Sequence, residues 1–159
     1  MCLAGCMTHQ FPPFFRAFFM MVLFVGLWGP AEAQIRDLGL IDGVQLKLCR
    51  HHADRHCVID GDTFRLGSTS IRIADIDTPE THPPHCPLEA KLGRQATLRL
   101  QALLNAGQFE LRGISRDEDR YGRKLRLVMR DERSLGMVLV DEGLARRYHG
   151  QRRKGWCGA

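Results

Sequence analysis

Polar-edged aromatic side chains are scarce in this sequence: it holds two tyrosines and two tryptophans. One of the latter, Trp28, sits inside an N-terminal apolar run. A protein that grips a polymer by stacking bases on rows of aromatic rings is therefore disfavoured. Repeats, low-complexity tracts and linkers are also missing after Gln34, and a length of 159 residues suits one domain. The single long hydrophobic run, Ala17 to Trp28, falls short of the roughly 20 apolar residues that a spanning helix needs.

That run has a different reading. Arg16 precedes it, and Gly29-Pro30 and the small-x-small site Ala31-Glu32-Ala33 follow it, just before Gln34. A positive residue, about a dozen apolar residues and such a site form a secretory signal. The expectation is a cleaved signal over 1–33, no stable membrane insertion afterwards, and a periplasmic or extracellular bacterial protein. A lead-in segment over 34–56, a main domain over 57–150 and a basic tail over 151–159 complete the division. Segment 1–33 carries one Arg and one Glu, so the rest keeps the formal charge of +5. A basic exported domain suits a polyanionic partner or an anionic surface.

Cys2 and Cys6 would leave with the signal, and Cys49, Cys57, Cys86 and Cys157 would remain. An even number in an oxidising compartment predicts disulfides, whose three pairings the sequence leaves open. The group Cys49, His51, His52, His56 and Cys57 matches no familiar zinc frame. His82 and His85 read as surface loop residues. Trp156-Cys157 suggests a tail pinned back on the domain.

Alternation predicts strands at Val58-Ile59, Thr63–Gly67 and Ile71–Ala74, joined by glycine-containing turns. From Pro87, the residues Leu88, Leu92, Ala96, Leu100, Leu103 and Leu104 recur at helical steps until Gly107, which predicts a helix of about five turns. Phe109 and Leu111 then alternate with Glu110 and Arg112, and Leu125, Leu127 and Met129 with Lys124, Arg126 and Arg130. Ser134 can cap a second helix through Leu135, Val138 and Leu139 to Gly143. The expected fold class is α+β, mainly β: a five-stranded OB-type barrel with two or three helices. A generic α+β sandwich is the competing architecture.

Two clusters are dense in oxygen donors: Asp60 with Asp62, and Asp75, Asp77, Thr78 and Glu80. Hard cations take such ligands from loop-adjacent positions. The spacing is not that of an EF-hand, and solvated turn acids would look the same. Arg72 within Ile71–Ala74 and Arg123 after Tyr121-Gly122 shift that balance. An arginine in a barrel strand is costly to bury unless it meets an anion or an acid. Acids for a metal, a spare carboxylate and two guanidinium groups are the parts that phosphodiester hydrolysis uses.

Four segments, in order and spacing, resemble the staphylococcal thermonuclease family: Val58–Thr63; Arg72 followed by Asp77–Thr81; Asp119–Arg123; and Glu142–Ala145. The resemblance extends from about Cys57 to about Tyr148. It implies one Ca²⁺ ion held by the carboxylates of Asp62 and Asp77 and the carbonyl of Thr78, with Asp60 as an acid behind them. It implies that Glu80 is the general base and that Arg72 and Arg123 bind the scissile phosphate. Arg120 and Tyr121 match positions that contact nucleotide phosphate, and Tyr148 lies near an aromatic that borders the base. The implied activity is calcium-dependent hydrolysis of DNA and RNA to 3′-phosphate ends by a monomer. The alternative is a catalytically weak or inactive nucleic-acid- or polyanion-binding module of the cell envelope. Retention of Asp62, Asp77, Glu80, Arg72 and Arg123 together argues against it.

Overall fold

A computed structural model describes residues 39–158, so the expected signal over 1–33 and the start of the lead-in segment lie outside the described residues. The elements run β1 (Leu40–Ile41), β2 (Lys47–Leu48), β3 (His56–Asp60), β4 (Thr63–Leu66), β5 (Thr69–Ile73), β6 (Ile76–Asp77), α1 (Pro87–Asn105), β7 (Phe109–Glu118), β8 (Lys124–Arg130), β9 (Arg133–Ser134), α2 (Leu135–Asp141) and β10 (Arg146–Arg147). The main sheet has the order β1-β7-β8-β5-β4-β3-β2, with β9 on β8, while β10 pairs with β6. Most ladders are antiparallel, but β5–β8 and β2–β3 are parallel. The five longer strands, β3, β4, β5, β7 and β8, form the curled mixed sheet of an OB-type α+β fold, with two helices. The lead-in segment supplies β1 and β2, and its Leu46 is buried in the core.

Each element follows from local chemistry. Helix α1 starts at Pro87, whose missing N–H costs nothing at a first helical position. Ala96, Leu100, Leu103 and Leu104 are buried along one stripe, and the three leucines join the core of Phe64, Phe109, Ile71 and Ile73. Phe64 and Phe109 meet edge to face at 6.1 Å, joining β4 to β7. Ser134 caps α2 by accepting the Met137 N–H at 3.2 Å, and Gly143 takes the left-handed conformation after it, with φ 73°.

Two expectations about facing need correction. Leu88 is 43% exposed, whereas the neighbouring Glu89 is buried, because the helix start turns an acid inward to meet backbone N–H groups. On β8 the buried pair is Arg126 and Val128 rather than Leu125 and Leu127, which border a cavity beside Arg72. One face of β8 borders that cavity while the other buries an arginine, so hydropathy alternation does not report inside and outside there. Arg126 is tolerated because Asp117 Oδ1 lies 2.7 Å from it and the Leu125 carbonyl 2.8 Å.

The four cysteines pair as Cys49–Cys57 and Cys86–Cys157. The second bridge ties the N-cap of α1 to the tail, where Trp156 is buried under the Arg146 guanidinium at 3.9 Å. Arg146 also donates to the carbonyls of Lys154 and Gly155. The tail is pinned, as Trp156-Cys157 led one to expect.

Helix α1 approaches both acidic segments through glycine. A Cβ on Gly93 would lie 2.8 Å from the Pro79 carbonyl oxygen and 3.1 Å from that of Glu80. On an open helix, Gly→Ala gains about 1 kcal/mol. Here two of the neighbours are backbone oxygens and the third is the Thr81 methyl at 2.9 Å, and overpacking of this kind costs about 1–3 kcal/mol. Gly93→Ala is therefore expected to lower stability in urea unfolding by roughly 1–2 kcal/mol; a stability gain would show that the Pro79–Thr81 segment yields freely.

Candidate active site

The acidic turn is built by a bulge. The β3–β4 register shifts between Val58 and Asp60, and bulges of this kind re-aim side chains next to functional sites. Asp60 Oδ1 accepts the N–H of Asp62 at 3.1 Å, closing the turn on itself. Gly61 is required in between, since a Cβ there would lie 2.7 Å from the Ala96 Cβ and 3.0 Å from the Thr78 Cβ. Helix α1 thereby fixes the distance between the two acidic segments.

Pairing then sets the arginine against the acids. Thr63 on β4 is the register partner of Arg72 on β5, and the Ile73 N–H donates to the Asp62 carbonyl at 2.8 Å. Arg72 Nη1 consequently sits 2.5 Å from Asp62 Oδ2, with side-chain exposures of 6% and 5%. Its Nη2 lies 4.0 Å from Asp77 Oδ1 and 3.4 Å from the Ile76 carbonyl. The Thr63 hydroxyl donates to Asp62 Oδ1 at 2.8 Å and in turn accepts from Arg123 Nη1 at 3.3 Å. Asp62, Arg72 and Asp77 thus form one buried group, which Arg123 joins through a hydroxyl.

Arg123 is held by its own hairpin. Asp119 Oδ2 accepts from Arg123 Nε at 2.7 Å, and Asp119 Oδ1 takes the N–H groups of Tyr121 and Arg123 at 2.9 and 3.0 Å. Tyr121 is 68% exposed at the tip. The Arg123 guanidinium lies 5.5 Å from the centre of its ring, and Arg120 bonds its hydroxyl at 2.6 Å. Arg120 and Tyr121 therefore lie outside the buried group, on its rim. Tyr148 is positioned by its N–H on the Asp75 carbonyl at 2.9 Å. Together with Arg72, Leu125, Leu127, Ile114 and Arg116 it borders a cavity of about 400 Å³. Thr78 is buried between the acids and Gly61.

Glu80 connects through a residue that the sequence showed only as part of a basic tail, its contact with the acids missed. Arg153 of the tail bridges two acids: its Nη1 is 2.9 Å from Glu80 Oε1 and its Nε 3.1 Å from Asp77 Oδ1. The sequence signals for this contact are the basic charge of the tail and Trp156-Cys157, three and four residues further on. Glu89 was missed as well. It accepts the His85 N–H at 2.5 Å and the His85 ring at 2.8 Å. These bonds and one from the Glu80 backbone hold its carboxyl below its ordinary range, although burial pushes the other way. The signal was present as an acid three residues after the N-cap Cys86, the spacing of a capping box.

The excess of negative charge bears on a cation. Burial, and then the charge of Asp62, push the Asp60 carboxyl up to about 8. Burial also raises that of Asp77, against the pull of Arg153. Asp77 Oδ1 is buried with no hydrogen bond of good geometry, despite its ion-pair contacts. Among the described residues no three His, Cys, Asp or Glu side chains converge as a ready-made cage, and the expected set holds just two carboxylates. Crowded hard-oxygen donors with an unsatisfied carboxylate oxygen fit a divalent cation of the calcium type, completed by water and carbonyl oxygens.

Asp119 offers a test of the hairpin. Burial raises its carboxyl, but bonds from the Arg123 backbone and side chain and the Tyr121 N–H outweigh this and hold it low. A lowered carboxyl contributes stability that is present above the unfolded value and lost as pH falls through the folded one. Asp119→Asn should cost about 1–2 kcal/mol at neutral pH. In denaturant titrations the gap to the wild type should narrow below the usual carboxylate range near pH 4; a gap independent of pH would refute the assignment.

Residues 70–155 match the model of the family described as Staphylococcal nuclease homologue, a stretch that holds Arg72, Asp77, Glu80, Arg123 and Arg153. Endonuclease YncB of Bacillus subtilis (strain 168) is 36% identical over 107 residues, 64% of this chain and 49% of that protein. The SPbeta prophage-derived endonuclease YokF of the same organism is 37% identical over 93 residues, 55% of this chain and 31% of that protein. The thermonuclease of Staphylococcus hyicus is 33% identical over 93 residues, 56% of this chain and 54% of that protein. The chain thus spans about half or less of the length of these relatives. With the match covering more than half of the sequence and running from β5 into the tail, the chain belongs to the staphylococcal nuclease homologue family.

Proposed function

We propose that this chain is an exported, calcium-dependent nuclease that hydrolyses phosphodiester bonds of DNA and RNA and leaves 3′-phosphate ends. The observation that carries the reading is the single connected group in which Arg72 meets Asp62 and Asp77, Arg123 joins through Thr63, and Glu80 adjoins Asp77 through Arg153. The named activities of the relatives, endonuclease and thermonuclease, support it. Export is supported by the pattern Arg16 to Ala33 and by two disulfides, which suit an oxidising compartment.

Asp62, Asp77 and the Thr78 carbonyl would hold the cation, which when bound supplies Lewis-acid polarisation of a phosphoryl oxygen. Glu80 is partly exposed, with 43% of its side chain open, and can take a proton from a water aligned with phosphorus. As the new P–O bond forms, the bond to the 5′-oxygen breaks and that oxygen takes a proton from solvent water as it leaves. Arg72 and Arg123 face the charge that develops on the phosphoryl oxygens. A guanidinium has five N–H donors, so Arg72 can keep Asp62 and still reach phosphate. Because Asp62 fixes its position beforehand, it need not reorganise during the reaction. The cavity beside Arg72 and Tyr148 would take the adjoining nucleoside.

Digestion of single-stranded DNA and of RNA with calcium and with a chelator tests this. Cleavage should require calcium and yield 3′-phosphate ends. Glu80→Gln should slow turnover by roughly 10²–10⁴. Arg123→Ala should slow it by about 10²–10³, as loss of a donor to a developing oxyanion does. Binding of either polymer without cleavage, with calcium present, would favour the inactive module instead.

A further inference from the structure

Two acids of the site, the buried Asp77 and the partly exposed Glu80, are bridged by one guanidinium from the far end of the chain. Arg153 is not there by chance collision of a loose terminus. The Cys86–Cys157 bridge fastens the tail to the helix start six residues after Glu80. Arg146 stacks on Trp156 and bonds the carbonyls of Lys154 and Gly155. Arg146 itself is the register partner of Asp77. The disulfide and the contacts of Arg146 thus hold the tail where Arg153 reaches the acids. The atom it approaches on Asp77, Oδ1, is the one left without a well-aligned hydrogen bond. A divalent cation would seek the same oxygen.

Resting on the cation site of the preceding subsection, we propose that Arg153 is a further residue of that site, a tethered guanidinium that competes with the divalent cation for Asp77 and so sets the affinity of the site. A cation that binds Asp77 must displace the Nε contact or share the carboxylate with it, against like-charge repulsion. Loss of the bridge would free the tail and lower the local concentration of the competitor. The tail is then a tuning element whose grip depends on an intact disulfide.

Calorimetric titration of calcium into the full, disulfide-bonded chain, without substrate, tests this. Removing a half-exposed ion pair is worth roughly 1 kcal/mol, so Arg153→Ala should tighten calcium binding by about five- to tenfold. Arg153→Lys, which keeps the charge but not the two-pronged bridge, should fall between. The exposed neighbour supplies a control: Arg152→Ala removes the same charge from the tail and should change affinity less than about twofold. Cys86→Ser with Cys157→Ser should tighten binding in the direction of Arg153→Ala. Equal affinity for wild type and Arg153→Ala overturns the proposal alone, as does an equal gain in Arg152→Ala. An unchanged double-serine variant overturns the role of the tether. No calcium binding by any of these chains overturns the cation site itself, and the proposal with it.

Discussion

The contact between Arg72 and Asp62 is the constraint around which the rest of the site is arranged. Both side chains are almost wholly removed from water, where an unpaired charge would cost several kcal/mol. Their pairing therefore requires β4 and β5 to hold one register, with Thr63 opposite Arg72. It also requires the bulge before Asp60 that turns the acid inward. The same pair holds the guanidinium through Nη1, while its Nη2 faces the Ile76 carbonyl and Asp77. A buried ion pair of this kind is poor as a source of stability but good at fixing orientation.

Around it, negative charge outweighs positive. Asp60, Asp62, Asp77 and Glu80 crowd one corner, and the protein manages that crowding in three ways. Asp60 is pushed up to about 8, so that it gives up its charge more easily. Asp62 is matched by Arg72 and the Thr63 hydroxyl. Asp77 and Glu80 borrow a cation from the tail. Under the proposed function a hard cation would draw on this surplus, part of which Arg153 answers in the structure.

Much of the architecture could be read from the residues in order. The strands from Val58 to Ala74, the helix from Pro87 and the Ser134 cap are local features whose period and end signals agree with their tertiary surroundings. The acids and arginines were legible because an arginine inside an apolar strand demands a partner. What escaped has a common cause. The facing of β8 was hidden because Leu125 and Leu127 look onto a cavity while Arg126 is buried with Val128. Glu89 reads as a solvated helix acid until the backbone N–H groups it serves are seen. Arg153 lies 73 residues from Glu80, a separation that no local pattern spans, and the disulfide that delivers it was one of three equal pairings.

That disulfide also changes what the chain is topologically. Cys86 and Cys157 are 71 residues apart, and the ring they close contains α1, β7, β8 and α2. By the chain-entropy account, closing a loop of that size restricts the unfolded state by on the order of 4 kcal/mol. The most open stretch inside the ring is the arm from Ile114 to Gly122, where most residues are exposed. A protease would meet its most accessible backbone there. A cut there would open the ring without parting it: Arg72 on one side and Arg123 on the other would remain within a single covalent molecule.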